Sequence, residues 1–499
     1  MDGLGIDATI ADRGTRDRAA AWLAKAGVKL PTFAELAAPR DIAQSRRDAL
    51  SSVDPDLAHP ANLFRVHWYN DRGRAGFLPA PAHLVFPPVL TGVRAPIAIA
   101  LGGFFPMIGA HKVLAAYGCL IPHLVTGRFD PERDRAIWPS TGNYCRGGVA
   151  ISRILGCRGI AVLPEGMSEE RFDWLHRWIG RPEDIVRTPG AESNVKEIYD
   201  KCAELARDPA NIVFNQFAEF GNYLAHWACT GPALARVFDA MRRAQPDLRL
   251  AAFVAASGSA GTLAAGDYLK AELGAQIVAV EASECPTLLR NGYGEHNIQG
   301  IGDKHVPLIH NVMNTDVVVG VSDESTAALD LLFNSETGRG YLIGRRRIDP
   351  ALAADLRLLG LSGIANLVAA IKLAKRFGLG ATDLVVTVAT DSASLYRSER
   401  QKYRADRYPD GFDEVSAGEI FGRHLLGVAD NDLLELTHHE RSRIFNLGYY
   451  TWVEQQGVAL ADFERRRSQG FWARLHQALP ALDVLIAEFN ATAGFAGID

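Results

Sequence analysis

Short, almost wholly apolar, β-branched runs recur through the middle of this chain, and each is followed by a glycine-marked turn and a helical pattern. "CRGIAVLPEG" reads as strand then turn, and "SEERFDWLHRWIG" as an amphipathic helix. "DLRLAAFVAASGSAGT" runs from strand into a glycine turn, and "LAAGDYLKAELG" continues as helix. "AQIVAVEAS" and "ATDLVVTVATDSAS" supply further strands. A strand that is apolar at every position has no solvent face, so its sheet is covered by helices on both sides. The pattern predicts an α/β fold with parallel-rich sheets. No tandem repeat interrupts it.

Composition narrows the function classes. The 499 residues are 48% hydrophobic and 22% charged, with a formal net charge of −5, so nothing points to nucleic acid or an anionic membrane. The start, "MDGLGIDATIADRG", lacks the basic and apolar regions of a secretory signal. The longest apolar stretches, such as "RAPIAIALGGFFPMIGA", are broken by Gly and Pro and are too short to span a bilayer. Six cysteines, Cys119, Cys145, Cys157, Cys202, Cys229 and Cys285, form neither a CxxC pair nor a zinc pattern, which predicts reduced thiols in a cytoplasm. His438 and His439 read as the start of a helix, because Thr437 and Glu440 form a T-x-x-E capping box. Arg345, Arg346 and Arg347 read as a solvated turn.

Four separated stretches carry polar chemistry inside this apolar frame. "GAHK" places Lys112 in a buried-looking segment; a lysine there either snorkels to water or has a chemical task. "WPSTGNYCRGG" sets Ser140, Thr141 and Asn143 around a glycine at a helix start, suited either to a carboxylate or to an ordinary cap. "SGSAGT" puts Gly258, Ser259, Ala260, Gly261 and Thr262 between a buried strand and a helix, where small residues let backbone N–H groups approach a phosphate. It is not GxGxxG, so a phosphate without a dinucleotide is the sharper reading. "VATDSASLY" offers Ser392, or its neighbour Asp391, at the end of a strand; alternation lets only one of the two face a given side. Lysine, phosphate cradle, carboxylate loop and lone polar contact together suit pyridoxal phosphate and an amino acid.

From about Ile108 to Tyr396 the chain resembles the fold-type II pyridoxal-phosphate enzymes, close to cysteine synthase and the catalytic core of cystathionine β-synthase. The resemblance is carried, in order, by "STGN", "VLPEGMSEERFDWL", "NQF" with "HWACTGPAL", "GSAGT", "IVAVEASE", "NIQGIGDKHVP", "VSDESTAAL", "LSGIANLVAAI" and "TDSASLY". The GAHK element is more similar to that of the tryptophan synthase β subunit. The resemblance implies two open, twisted, parallel-rich sheets with covering helices. A small mobile domain would span 108–225, and a large cofactor domain 86–107 and 226–410. Outside it lie an N-terminal extension (1–85) and a helical, aromatic-rich C-terminal one (411–499), with Phe445, Tyr449, Tyr450 and Trp452 covering the core or a partner subunit.

The resemblance also implies roles. Lys112 would form the Schiff base and move the Cα proton. Gly258 to Thr262 would hold the phosphate, Asn143 the ring hydroxyl, and Ser392 would face the ring nitrogen. Ser140, Thr141 and Gln216 would bind the substrate carboxylate, with Tyr144 beside them; His226 and the loop Gly300 to Gly302 would line the substrate side. Tyr144 stands where cysteine synthase has a threonine, and Ala260 replaces a family glycine, tolerable if φ is negative. A serine at the ring nitrogen disfavours transamination and suits loss of a β-substituent. The function implied is replacement or elimination at Cβ of a small amino acid through an α-aminoacrylate, in a cytoplasmic homodimer. The alternatives are a hydroxy- or diamino-acid ammonia-lyase of the same fold, or a non-catalytic binding partner.

Overall fold

The computed structural model describes residues 8–192, 194–302 and 304–495. In chain order the strands are β1 (His83–Phe86), β2 (Ile97–Leu101), β3 (Arg135–Pro139), β4 (Arg158–Pro164), β5 (Ile185–Thr188), β6 (Asn211–Val213), β7 (Arg249–Ala256), β8 (Gln276–Ala282), β9 (Val317–Val321), β10 (Asp383–Ala389) and β11 (Leu433–Glu435). Among the described residues they form a seven-stranded sheet of order β1-β2-β10-β7-β8-β9-β11 and a four-stranded sheet of order β5-β4-β3-β6. The smaller sheet is wholly parallel. The larger is parallel except at its two edges, β1 and β11.

The larger sheet shows why its strands are apolar throughout. Ile97, Ile99, Leu101, Val254, Val278, Val280 and Val385 pack into one core. The intervening Ala98, Ala100, Phe253, Ala255, Ile277 and Val386 pack into another, on the opposite face. Period-two alternation between two dry faces favours apolar side chains, and the buried Glu281 and Thr387 are accommodated by hydrogen bonds to the Leu288 and Leu289 N–H groups and to the Val254 carbonyl. Each such valine or isoleucine contributes about 1.5–3 kcal/mol by its burial. Because β2, β7 and β10 run parallel, their carboxyl ends open on one edge, where sheets of this kind place ligands.

Both flanks fold onto this body. Phe445, Trp452, Phe471, Trp472 and Phe489 share a core with Leu23 and Phe33 of the N-terminal flank and with Val113 and Leu120. The Trp452 indole donates to the Val306 carbonyl at 2.7 Å, so the aromatic stripe covers its own chain, while Tyr450 stays exposed. The Asn490 side chain brackets Leu30, accepting its N–H at 3.0 Å and donating to its carbonyl at 2.8 Å. The C-terminal extension is not helical throughout: β11 completes the larger sheet against β9, and β1 straddles the boundary expected at residue 85. Thr437 caps the helix His438–Tyr449, accepting from the Glu440 N–H at 3.2 Å. Among the described residues no single helix is long and apolar enough to cross a membrane. One bent pair, Pro350–Leu358 with Leu361–Arg376, has the composition, but Leu361 to Ala374 lie buried in the core.

Candidate active site

The chain leaves β2 through a tight passage. A Cβ on Gly102 would lie 2.7 Å from the carbonyls of Ala389 and Thr390. Lys112 then begins the helix Lys112–Val125. Its Nζ donates to Gln216 Oε1 and to Ser259 Oγ, each at 3.1 Å. The lysine therefore does not snorkel. It joins the turn after β7 to the segment after β6, two elements more than a hundred positions away in sequence.

The turn after β7 is built for close approach. A Cβ on Gly258 would meet the Gly300 carbonyl at 2.8 Å, and one on Gly261 the Asn222 Oδ1 at 2.2 Å. Ser259 Oγ also receives the Asn222 amide at 3.0 Å. The condition set for Ala260 is not met: its φ is +63°, in the left-handed region. A methyl there costs about 1–2 kcal/mol, which the surrounding turn sustains.

The carboxyl ends of the smaller sheet face this turn. Ser140, Thr141, Asn143 and Tyr144 follow β3, Glu192 follows β5 and Gln216 follows β6; with Lys112, Gly258, Ser259, Ala260, Thr262 and Gly300 they line one cavity. Gly142 between them has φ +141°, and a Cβ there would lie 2.4 Å from Arg171 Cδ. Ser140 Oγ accepts the Gly142 N–H at 2.8 Å, which leaves its own O–H to donate. Asn143 gives one amide N–H to Asp391 Oδ2 at 2.6 Å and accepts from Arg146 at 2.8 Å. The Tyr144 hydroxyl is spent on the Phe214 carbonyl at 3.0 Å, so the cavity meets its ring and not its donor.

Four expected site residues lie elsewhere. Ser392 turns outward to Ser394 Oγ, 2.8 Å away, and lines surface hollows beside Phe104 and Arg357. The strand ends at Ala389, so alternation no longer governs the next three residues: Thr390 faces the cavity and Asp391 turns inward to Asn143 and Tyr396. His226 sits behind the wall, its Nδ1 2.8 Å from Thr230 Oγ1 and its ring 5.0 Å from that of His111. Burial holds it neutral, with its pKa pushed down to about 3. Gly302 gives its N–H to the Ser257 carbonyl at 2.7 Å, bracing the phosphate turn from outside, and Gly261 is enclosed under Asn222.

Sequence reasoning missed His111, Glu192, Phe217 and Thr390, all on the cavity wall. His111 stood in GAHK and Thr390 in the quoted strand end, so both had a local signal. Glu192 had none. It is 1% exposed, and burial pushes its acid up to about 7, against the opposing pull of Arg171 and of the nearby Thr141 hydroxyl and Gly300 N–H.

A lysine amine held between a backbone cradle and a wall of hydroxyls and amides, at the carboxyl ends of two parallel sheets, defines a site for a phosphorylated carbonyl cofactor. Residues 93–391 match the family described as pyridoxal-phosphate dependent enzymes, and the chain belongs to it. Among curated relatives, the cysteine synthase of Staphylococcus aureus is 29% identical over 274 residues, covering 54% of this chain and 78% of that protein. The probable cysteine synthase of Bacillus subtilis is 31% identical over 300 residues, covering 59% and 86%. Of solved structures, an O-acetylserine dependent cystathionine β-synthase from Helicobacter pylori aligns with a TM-score of 0.51 and 23% identity, over 64% of this chain and 94% of that one. O-ureido-L-serine synthase aligns at 0.54 and 21%, over 68% and 95%. These establish the fold as that of the fold-type II enzymes.

The residues present fit the cofactor. The only amine on the described cavity wall is that of Lys112, and the turn 258–262 has its glycines where a side chain would close the cradle.

Proposed function

We propose that this enzyme acts at Cβ of a small amino acid, eliminating or replacing a substituent there, as the names of its cysteine synthase relatives suggest. The observation that carries the proposal is the position of Lys112 Nζ, 3.1 Å from both Ser259 and Gln216. It can bond covalently to a carbonyl whose phosphate lies in the turn, beside an amino acid held on the opposite wall. Bound pyridoxal phosphate supplies an electron sink for negative charge at Cα. Lys112 would hold the cofactor by its carbonyl carbon, and its amine would be the group that takes the proton from Cα and returns it.

Ser140 and Thr141 donate their hydroxyls to the substrate carboxylate, and Gln216 its amide. Asn143 has a second amide N–H to give to the cofactor ring. Thr390, which lines the cavity in place of Ser392 and pairs its hydroxyl with Ser362 Oγ at 2.8 Å, would be the neutral side chain nearest the ring nitrogen. A neutral hydroxyl does not keep that nitrogen protonated as a carboxylate would, which disfavours transamination. The Tyr144 ring fills volume and keeps water out. The unit around the smaller sheet, 108–225, closes over the substrate, since it contributes the carboxylate-binding wall. The six cysteines, all buried thiols, support a reducing compartment.

The test offers O-acetylserine, O-phosphoserine, cysteine and serine to the purified holoenzyme, each with and without sulfide. Pyruvate released without a second nucleophile identifies elimination, and a new thiol amino acid identifies replacement. Visible absorption of covalently held cofactor that survives Lys112→Ala overturns the lysine assignment.

A further inference from the structure

Glu192 is a carboxylate with an unfinished set of partners. Its Oε2 is buried and makes no hydrogen bond among the described residues, although the side chain lines the same cavity as Lys112. The Thr141 hydroxyl and the Gly300 N–H lie close enough to act on the group. Arg171, the guanidinium nearest in the field of this acid, is committed elsewhere, to Gln299 Oε1 and to the Tyr396 hydroxyl. A buried carboxylate oxygen left unpaired is costly, so the residue is complemented when a ligand brings a donor to it.

The rest of the wall sharpens this. Among the described residues that line the cavity, the charged side chains are Lys112 and Glu192. His111 is held neutral by its burial, and no arginine reaches the wall. The Lys112 amine is consumed in holding the cofactor. What an incoming side chain meets on the wall is one carboxylate, whose nearest guanidinium, Arg171, acts on it from behind through its field.

We infer that Glu192 sets the charge of the Cβ substituent this enzyme accepts, favouring groups that carry positive charge or donate a hydrogen bond and excluding anionic ones such as phosphate. The inference rests on the proposed chemistry at Cβ and adds the class of leaving or entering group. Repulsion of the α-carboxylate is common to every amino acid and cancels between substrates. The substituent's own charge does not.

The test, run at pH 8 so that an acid raised to about 7 is ionised, uses the holoenzyme and three L-amino acids: cysteate (anionic), 2-aminobutanoate (neutral) and 2,4-diaminobutanoate (cationic). Each dissociation constant is read from the saturable change in visible cofactor absorption. The expected order places 2,4-diaminobutanoate about tenfold or more below cysteate, with 2-aminobutanoate between. Glu192→Gln, checked for cofactor content and circular dichroism, should bring cysteate and 2,4-diaminobutanoate to within about threefold and improve the use of O-phosphoserine relative to O-acetylserine. Cysteate binding the unaltered enzyme as tightly as 2,4-diaminobutanoate overturns the inference, whatever the variant does. So does an unchanged ratio in a folded Glu192→Gln protein. If none of the three, the neutral one included, perturbs the cofactor in either protein, the Cβ reading itself has failed and the inference falls with it.

Discussion

Replacing Glu192 by glutamine should make the holoenzyme more stable relative to its parent as pH rises. Burial raises the folded acid from 4.5 to about 7, so the unfolded chain releases this proton before the folded one does. The glutamate's contribution is therefore fully present below the unfolded value and is lost as pH rises through the folded one. At 1.36 kcal/mol per pH unit, full ionisation costs the folded state about 3 kcal/mol, of which about 2.5 kcal/mol accrues between pH 5 and 8. Glutamine carries no such dependence. With an unfolding entropy of about 2.1 cal/mol/K per residue, a chain of this length converts that figure into about 2–3 °C of Tm. The assay is differential scanning calorimetry of both holoproteins, without amino acid, at pH 5 and pH 8. Altered interactions with Thr141 and Gly300 add an offset that is the same at both pH values. The quantity to read is thus the change in the Tm difference. A difference that stays constant, or shrinks toward pH 8, refutes the claim that this carboxylate is buried and unpaired.

Two further outcomes follow from placements the sequence did not anticipate. Thr390→Ala should lower turnover at least tenfold and shift the cofactor absorption, whereas Ser392→Ala, whose hydroxyl meets only Ser394, should stay within about twofold of the parent in both readouts. Asn490→Leu strips Leu30 of partners for both its N–H and its carbonyl; urea unfolding should show a loss of about 1–3 kcal/mol, with cofactor affinity unchanged.

The strands and the glycine turns were legible because each is a local effect. An apolar run such as "LVVTVA" has one fate when both faces of its sheet are dry, and "GSAGT" can be read as a cradle from its lack of side chains. What the residues alone did not disclose depends on where the chain turns once a strand is over. Ser392 takes the ring-nitrogen role on the resemblance alone; alternation leaves Asp391 as its rival, and alternation itself lapses where the ladder stops at Ala389. Glu192 belongs to no motif, and it enters the cavity only because β5 ends beside β4 and the loop that follows is drawn against Thr141 and Gly300. The aromatic flank was readable as an amphipathic stripe, but its tie to Leu30 through Asn490 spans 460 positions and leaves no local trace. The strand β11, three residues long and at a sheet edge, owes its form to the neighbouring β9 more than to its own propensity.

Asp391 shows how the same polar residue can fit two roles until its partners are known. Read along the chain, it rivals Ser392 for the ring nitrogen. In the fold its Oδ2 takes hydrogen bonds from Asn143 and from the Tyr396 hydroxyl, both at 2.6 Å, and burial raises its carboxyl above the ordinary range. The Tyr396 hydroxyl in turn receives Arg171 at 3.0 Å, and Arg171 reaches Gln299. Asn143 and Arg171 belong to the unit around the smaller sheet; Asp391, Tyr396 and Gln299 belong to the other. The network therefore joins the two units through Asn143, which also lines the cavity, and the Lys112 contact to Ser259 joins them a second time.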